Sequence, residues 1–477
     1  MSEEADERID PDERTRIDMT TGAITPKLFA LAWPLVLGNL LQTAYNLADM
    51  FWVGRVSGDA LAAVSLMFPL TWMFVSTAIG LTAATIALVS QHVGADNDRQ
   101  ADRVVAQTTL LALVVSTLLA AGGFAARYEL LTLIGAEGQV FVEALAYIEV
   151  IFLSIPLTFL FLAFRSSLQG AGDTKTAMWL VAISAGMNVV IDPFFILGWG
   201  PFPELGTQGA AVATFISRFF AAAAGVYILL RGGFGVRLRI GDLRPDVSIL
   251  KKLLVIGYPA TLDGWARSFA AVVMAAFVAQ FTVAAIAAYG IGVRLMSVTW
   301  SVAGAVGQAT ATGVGQNLGS KTPDRAVEVT WKATGATMGL LAVATAIVVV
   351  FPAPVMAIFT AEADVIDEGI RFLRIIAPSW AFFGGVMVIQ GAFRGAGVTK
   401  VAMVLSLLSR WIFRIPLALL LAFAWSVTIP GTALTVRAID LGVSGLWVAY
   451  AAAAIISFGV AVFWFSLGTW KGGVIDE

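Results

Sequence analysis

Long apolar runs follow one another along almost the whole chain, with short polar turns between them. A run of about 20 apolar residues lets a helix cross the hydrocarbon core of a bilayer. Twelve such runs are present, and several exceed the spanning length, which predicts tilted or protruding helices. The predicted helices cover 28–53, 60–91, 104–126, 142–168, 174–199, 207–231, 251–281, 286–317, 328–358, 371–394, 400–428 and 438–468.

The twelve runs form two copies of one six-helix unit. Adding 225 to a residue number carries Pro34 to Pro259 and Gly94 to Gly319. An insertion of about 11 residues, around 427–437, shifts the register late in the second copy. Six is an even number, so both copies enter the membrane from the same side and form a parallel repeat. The predicted organisation is an acidic disordered tail (1–26), an N-terminal lobe (27–231), a cytoplasmic linker (232–250), a C-terminal lobe (251–470) and a short tail (471–477).

Composition agrees with a polytopic membrane protein. The chain is 58% hydrophobic and 13% charged, with a mean hydropathy of +0.85, which leaves the bilayer as its solvent. It has no cysteine, which excludes disulfides, thiolate catalysis and cysteine-based metal sites. Residues 1–18 carry eight acidic and three basic residues and no apolar run, which is typical of a disordered tail and not of a signal peptide.

Basic residues indicate how the chain is oriented. Of the Lys and Arg residues outside the apolar segments, 19 fall on the side shared by both termini and five on the other side. Because basic loops stay in the cytoplasm, this asymmetry predicts cytoplasmic termini in a plasma membrane. The remaining six lie within the apolar segments: Arg165, Arg218, Arg267, Arg294, Arg410 and Arg414.

The first predicted helix has one polar face. Asn39, Gln42, Tyr45, Asn46 and Asp49 follow one another at helical spacing within an apolar segment. An aspartate in hydrocarbon costs at least about 2.5 kcal/mol and is tolerated where it lines a cavity or meets a partner. We therefore expect Asp49 to be functional and the other four to line a cavity or substrate path. For Asn39 and Asn46, interhelical hydrogen bonding is an equally good interpretation.

A second acid lies in the fifth predicted helix. Ser184, Asn188 and Asp192 recur at every fourth position, so they share one helix face. At about 1.5 Å per residue, Asp49 and Asp192 fall at comparable depth in the outer half of the membrane. Two carboxyl groups at one depth are too costly to serve only as structural hydrogen-bonding groups, which favours a joint function.

The repeat and its motifs together resemble the multidrug and toxic compound extrusion (MATE) family. The second helix of each copy ends in a Gln-x-x-Gly motif, at Gln91-His-Val-Gly94 and Gln316-Asn-Leu-Gly319. A Gly-x-Gly-x-Thr-Lys turn begins at Gly170 and recurs at Gly395. Residues 42–54 look like the prokaryotic branch that includes the DNA-damage-inducible F type. The resemblance spans roughly 27–468. It implies an all-α fold of 12 transmembrane helices in two lobes, and an antiporter that exports organic, often cationic or amphiphilic, compounds.

The same resemblance implies a cation site. The residues that match it in the N-terminal lobe are Asp49, Asn188 and Asp192, with Thr214 as a looser match, while Gln42 and Tyr45 match polar residues nearby. The coupling ion would be H⁺ or Na⁺, and Na⁺ could bind Asp49, Asn188 and Asp192. We expect no other cofactor, no nucleic-acid partner and a monomer in the lipid bilayer.

The second lobe differs from the first. Asp49 maps to Met274, and no acid answers Asp192. In the family's other main branch, acids in helices seven and ten form a C-terminal cation site, but Arg267 occupies the first of these places here. This departure argues against a C-terminal coupling site. The arginines either hold the helices of the lobe together or take part in substrate passage. The charges predicted to be buried in this lobe are Asp263, Arg267, Arg294, Arg410 and Arg414.

Two other classes of protein remain as alternatives to an antiporter. A lipid-linked precursor flippase has a similar architecture by resemblance, and the membrane arginines would suit the basic central cavity expected of it. An enzyme is disfavoured, because no His, Cys or acid cluster offers a nucleophile or a metal site. No phosphate-binding loop is present either, so ATP hydrolysis is not expected.

Overall fold

The computed structural model describes residues 16–428 and 435–475 and is almost entirely helical. In this part of the chain twelve helices are long and apolar enough to span a membrane, which agrees with the predicted number. They are α1 (Ile24–Val53), α2 (Gly58–Gly94), α3 (Asp98–Ala125), α4 (Gly138–Ala171), α5 (Thr174–Ile196), α6 (Gly206–Arg231), α7 (Val247–Val278), α8 (Val283–Gly319), α9 (Pro323–Val350), α10 (Ala363–Gly395), α11 (Thr399–Ala422) and α12 (Val443–Ser466).

Shorter elements connect or interrupt these helices. Two short helices, Arg127–Leu133 and Pro352–Ala357, follow α3 and α9. A 3₁₀ turn at Ala377–Ser379 interrupts α10, where Pro378 lacks a backbone donor. A π-helical stretch at Leu408–Arg414 interrupts α11. Such irregular turns frequently mark functional sites, and this one carries Arg410 and Arg414.

The predicted helix 400–428 was too long at its end. The helix α11 stops at Ala422, and Ser426–Thr428 pairs in antiparallel fashion with Thr435–Arg437. Both segments are rich in Val and Thr, whose branched side chains favour extended backbone. The inserted segment at 427–437 therefore holds a short hairpin, apart from residues 429–434, which lie outside the described part.

The tail predicted to be disordered is in part packed against the helices. Met19 is fully buried, and α1 begins at Ile24, so the prediction was wrong for residues 16–26. Residues 1–15 lie outside the described part of the chain. At the other end of the chain, Trp470 is buried just before the predicted short tail (471–477). Residues 476–477 of that tail lie outside the described part.

The two lobes meet on the side where residues 16–23 and 470–475 lie, which we call the terminal side. One apolar cluster near the opposite side draws only on α1–α6 and their connections, and another draws only on α7–α12. Two clusters nearer the terminal side mix both lobes, as where Leu28, Leu31 and Leu35 of α1 pack against α8, α9 and α10. The lobes are therefore in contact on the terminal side, and near the opposite side each lobe has an apolar core of its own.

Glycines permit this closure. A Cβ atom on Gly94 would lie 1.9 Å from the carbonyl oxygen of Gln316 in the other lobe. By the repeat, a Cβ on Gly319 would lie 1.9 Å from the carbonyl oxygen of Gln91. The backbone atoms of α2 and α8 therefore approach each other too closely for any side chain at these two positions.

Gly94→Ala should shift the protein away from the state that is closed on the terminal side. Cysteines placed at Asp96 and Ser320, in a chain with no native cysteine, can carry spin labels across the two lobes. We expect a longer distance between these labels in Gly94→Ala, because backbone atoms must move apart. Gly122→Ala is the control, since no atom of the described residues lies within 4 Å of its added Cβ. An unchanged distance in Gly94→Ala would contradict the prediction.

The linker between the lobes is docked on α3. Asp102 accepts hydrogen bonds from the backbone nitrogen of Arg237 (2.7 Å) and from Nε of Arg239 (2.9 Å). The hydrogen bond from Arg99 holds the pKa of Asp242 below its usual range. The helix α7 then begins at Val247, three residues before the predicted end of the linker at 250.

Candidate functional site

The polar face of α1 meets a different helix at each turn. Asn39 accepts a hydrogen bond from Arg165 Nη2 of α4 at 3.1 Å and donates to the carbonyl oxygen of Ser301 in α8 at 3.2 Å. One turn further, Gln42 accepts from Arg218 Nη2 of α6 at 3.3 Å and donates to Asn46 at 3.3 Å. The contact with Ser301 marks a depth at which the two lobes touch.

Tyr45 connects this face to the predicted cation site. Its hydroxyl lies 3.2 Å from Oγ1 of Thr214 in α6. Two turns of α5 place Asn188 and Asp192 beside Thr214, and both side chains are fully buried. The structure therefore brings together Tyr45, Thr214, Asn188 and Asp192 from three helices.

Asn188 bridges Asp192 and Thr214. In the amide orientation that satisfies its neighbours, the nitrogen donates to both carboxylate oxygens of Asp192, at 3.2 and 3.0 Å. The amide oxygen accepts from the backbone nitrogen of Thr214 at 3.2 Å. The oxygen that was predicted as a neutral cation ligand is therefore engaged in this state.

Asp49 completes the group. It is 9% exposed and lies close enough to Asp192 for the two carboxylates to interact electrostatically. Its Oδ1 is buried and has no hydrogen-bond partner among the described residues. A buried carboxylate oxygen without a partner carries a free-energy cost that a bound proton or cation would remove.

Three residues near this site were not predicted as site residues. Tyr147 of α4 is buried within electrostatic range of Tyr45, Asp49 and Asp192. Arg165 and Arg218 had been recognised only as membrane arginines. Their partners are 126 and 176 positions away in sequence, so only the fold could show which polar face they contact.

In the C-terminal lobe the expected pair between Asp263 and Arg267 forms. A second arginine, Arg394, also binds Asp263, at 3.2 Å. Arg394 had been counted among the loop residues, but its side chain is only 26% exposed within the last turn of α10. Without Arg394, 18 Lys and Arg residues (19 − 1) remain on the terminal side against five on the other side, so the charge asymmetry remains.

Of the other predicted charges of this lobe, Arg410 lies within electrostatic range of Asp263 and Arg267. Arg410 donates to Ser406, and Arg414 lies 3.6 Å from the centre of the Tyr450 ring. Arg294 is exposed, so the prediction that it is buried was wrong. Met274, the counterpart of Asp49, is buried in an apolar cluster. The two lobes therefore differ in charge at matching depth.

The Tyr45 and Thr214 hydroxyls should be energetically coupled. A double-mutant cycle of Tyr45→Phe and Thr214→Val, followed by thermal or denaturant unfolding in detergent, should give a coupling of about 1 kcal/mol, the usual net value of one hydrogen bond. The matched cycle with Tyr227→Phe, an exposed tyrosine on α6, should give none. Additive losses for Tyr45 and Thr214 would mean that their contact contributes nothing.

Comparison with known proteins places the chain in a family. The family model MatE matches residues 34–194 and 259–420, which together cover more than half of the chain. The two matches begin 225 residues apart (259 − 34), which is the offset of the internal repeat.

Similar proteins cover nearly the whole chain. A probable multidrug resistance protein, YoeA of Bacillus subtilis, is 29% identical over 443 residues, with 92% of each chain covered. A probable multidrug resistance protein NorM of Thermotoga maritima is 27% identical over 451 residues, covering 94% and 93%. A FAD transporter of Shewanella oneidensis is 26% identical over 407 residues, covering 85% of this chain and 90% of that protein.

Solved structures share the fold. An outward-facing multidrug resistance MATE family transporter matches with a TM-score of 0.85 at 23% identity, covering 95% of this chain and 98% of that one. A MOP superfamily transporter from Pyrococcus furiosus, described as having a binding pocket of reverse polarity, matches with a TM-score of 0.85 at 22% identity and the same coverage. Together with the twelve spanning helices and the twofold family match, these similarities show that the chain belongs to the multidrug and toxic compound extrusion family of multi-pass membrane transporters.

Proposed function

We propose that this protein is a secondary active antiporter that exports organic compounds in exchange for H⁺ or Na⁺, by alternating access of its two lobes. The observation that carries the proposal is the pair of buried carboxylates, Asp49 and Asp192, in the spanning helices of one lobe. Acids inside a membrane are rare and mark ion or proton pathways. The names of several relatives as multidrug resistance proteins support an organic substrate.

The geometry favours the proton as the coupling ion. In the amide orientation that satisfies its neighbours, Asn188 presents its nitrogen to Asp192, so a cation at Asp192 would first require the amide to rotate. A proton needs only the partnerless oxygen of Asp49. A sodium ion would need oxygen ligands beyond the two carboxylates, and the group offers the hydroxyls of Tyr45 and Thr214.

The protein is proposed to reside in the plasma membrane as a monomer, with its terminal side in the cytoplasm. The excess of Lys and Arg on that side supports this orientation. Loading of the carboxylate pair would favour a different packing of α1, since it removes charge from a buried site. Opening of the terminal side would follow from separation of α2 and α8.

Transport by purified protein in liposomes tests the proposal. Imposed proton and sodium gradients, applied separately, should show which ion drives dye movement in the direction opposite to ion flow. ATP without an ion gradient should drive none. Uptake that depends on ATP alone, or that ignores both gradients, would contradict ion-coupled antiport.

A lipid-linked precursor flippase remains the second candidate. The observation in its favour is the presence of Arg165 and Arg218 beside α1, since a basic cavity suits a phosphorylated headgroup. The FAD transporter among the relatives likewise supports a phosphorylated substrate. Transbilayer movement of a fluorescent polyprenyl diphosphate in the same liposomes, without an imposed ion gradient, would favour the flippase.

A further inference from the structure

We infer that Arg165 and Arg218 form an oxyanion-binding site, so that the exported compound carries a carboxylate or phosphate group. The inference rests on the proposed transport function and specifies the class of substrate. Neither arginine forms an ion pair with Asp or Glu in the described part of the chain. Their hydrogen-bond acceptors are the neutral side chains of Asn39 and Gln42.

Unpaired arginines at this depth need a polar environment. Both side chains are partly buried, and they lie close enough to repel each other. Nη1 of Arg218 is buried and has no hydrogen-bond partner among the described residues. Because an unpaired charge is costly inside a membrane, such residues face a water-filled cavity or a partner. A substrate oxyanion would relieve the repulsion and accept the unused N–H groups.

The position of the pair fits a substrate site. Asn39, which Arg165 contacts, also touches Ser301 of the other lobe, so the pair lies near the depth where the lobes meet. The guanidinium of Arg218 lies 4.5 Å from the centre of the Phe161 ring and 5.9 Å from that of Tyr45. These rings give an amphiphilic compound an aromatic surface beside the charges.

The same contacts connect the oxyanion site to the carboxylates. Arg218 lies over Tyr45, Tyr45 contacts Thr214, and Thr214 contacts Asn188 beside Asp192. Binding of an anion by Arg218 would change the field along this chain of polar groups. Substrate and coupling cation would then occupy opposite ends of one network within a single lobe.

A matched pair of dyes tests the inference. A rhodamine with a free carboxylate and its methyl ester share one ring system and differ in a single charge. The purified full-length protein in nanodiscs should bind the acid about tenfold more tightly than the ester, the effect of one charge-assisted hydrogen bond. Arg165→Gln and Arg218→Gln should each bring this ratio close to one. The control Arg374→Gln, an exposed arginine on α10, should keep it.

Competitors identify the source of the oxyanion. Displacement of the acid dye by both inorganic diphosphate and farnesyl diphosphate indicates a soluble compound, and displacement by farnesyl diphosphate alone indicates a lipid-linked one. Displacement by neither, or a ratio that survives Arg218→Gln, would overturn the inference. Gradient-driven transport of the ester with no preference for the acid would refute it while leaving the antiporter proposal intact. Arginine-dependent binding of the acid without any transport would support the oxyanion site and contradict the antiporter proposal.

A separate set of contacts assigns a role to the segments at both ends of the chain. We propose that residues 16–22 and 470–475 are two straps that hold the lobes together on the terminal side. The backbone nitrogen of Ile17 donates to Gly172 of the N-terminal lobe at 3.3 Å. Two residues later, Met19 donates to Oε1 of Gln316 in the C-terminal lobe at 2.8 Å. The first strap thus crosses from one lobe to the other.

The second strap repeats this arrangement with the lobes exchanged. Val474 donates to Oε1 of Gln91 in the N-terminal lobe at 2.8 Å. A Cβ on Gly397 of the C-terminal lobe would lie 2.6 Å from the Val474 side chain. Gln91 and Gln316, like Gly172 and Gly397, are 225 residues apart. The Gln-x-x-Gly ends and the Gly-x-Gly turns are therefore the docking points of both straps.

Release of the straps should accompany opening of the terminal side. Met19→Ala, and truncation after Lys471, should each raise the open-to-closed ratio by at least about tenfold, as judged by the spin-label distance between positions 96 and 320. Met356→Ala is the matched control, because Met356 is fully buried within one lobe. If neither strap variant changes the distances, or if Met356→Ala changes them equally, the straps are not latches.

Discussion

Asp49→Asn and Asp192→Asn should each reduce gradient-driven efflux to the level of protein-free liposomes. Both substitutions keep the size of the side chain and remove its charge. Without that charge the site can neither take up nor release the coupling ion, so the gradient no longer biases the lobes. The carboxylates interact, so loss of one also changes how the other titrates, and the pair behaves as a unit.

The readouts of this experiment separate coupling from folding. Efflux, dye binding and thermal unfolding should be measured on the same preparations, and the variants should unfold at temperatures close to that of the wild type. Asp59→Asn is the matched control, because Asp59 is an exposed acid in the first turn of α2. If either variant retained wild-type efflux with its usual dependence on pH and sodium, that acid would be structural.

The sequence was sufficient to predict the twelve helices and the two acids, because both signals are local. An apolar run of spanning length is visible without knowledge of its neighbours, and so is an acid within it. The repeat offset added the division into lobes. The predicted helix ends differ from the observed ones by eight residues at most. Most errors arose where a helix extends beyond its apolar run, as α10 does by beginning at Ala363 and not at 371. The helix α9 shows the reverse error, because it ends at Val350 although the apolar run continues to 358.

Pairings between distant helices could not be predicted. Arg165 meets Asn39 and Arg394 meets Asp263 across 126 and 131 positions, and nothing in either segment indicates its partner. Arg394 was misread because it lies one residue from a glycine turn that sequence alone assigns to a loop. Met19 was missed because a single apolar residue in a polar segment is a weak signal, although it fills a space between helices of the closed state.

The two lobes differ in the surroundings of their buried acids. The N-terminal lobe contains two interacting carboxylates, one of them with a partnerless oxygen. In the C-terminal lobe Asp263 is held by two arginines, and Met274 occupies the place of Asp49. A carboxylate held by two guanidinium groups is stabilised in its charged form, which does not suit a group that must exchange a proton in each cycle.

Asp263→Asn should therefore lower stability strongly while leaving coupling to the ion gradient intact. The side chain of Asp263 is 3% exposed, and those of Arg267 and Arg394 are 28% and 26% exposed. Removing the shared acid leaves two partly buried guanidinium groups without a counter-charge. Such a loss costs about 3 kcal/mol, the lower end of the range for a broken buried ion pair, because the arginines keep some contact with solvent.

The measurement compares unfolding and transport in Asp263→Asn with the same quantities in Asp49→Asn. Asp263→Asn should unfold at a clearly lower temperature, and its efflux per folded molecule should still follow the imposed gradient. A second substitution, Arg394→Gln, should restore part of the lost stability by removing one of the two unpaired charges. Equal loss of coupling in folded Asp263→Asn and Asp49→Asn proteins would show that both lobes carry the ion, because the structural role of Asp263 predicts a change in stability alone.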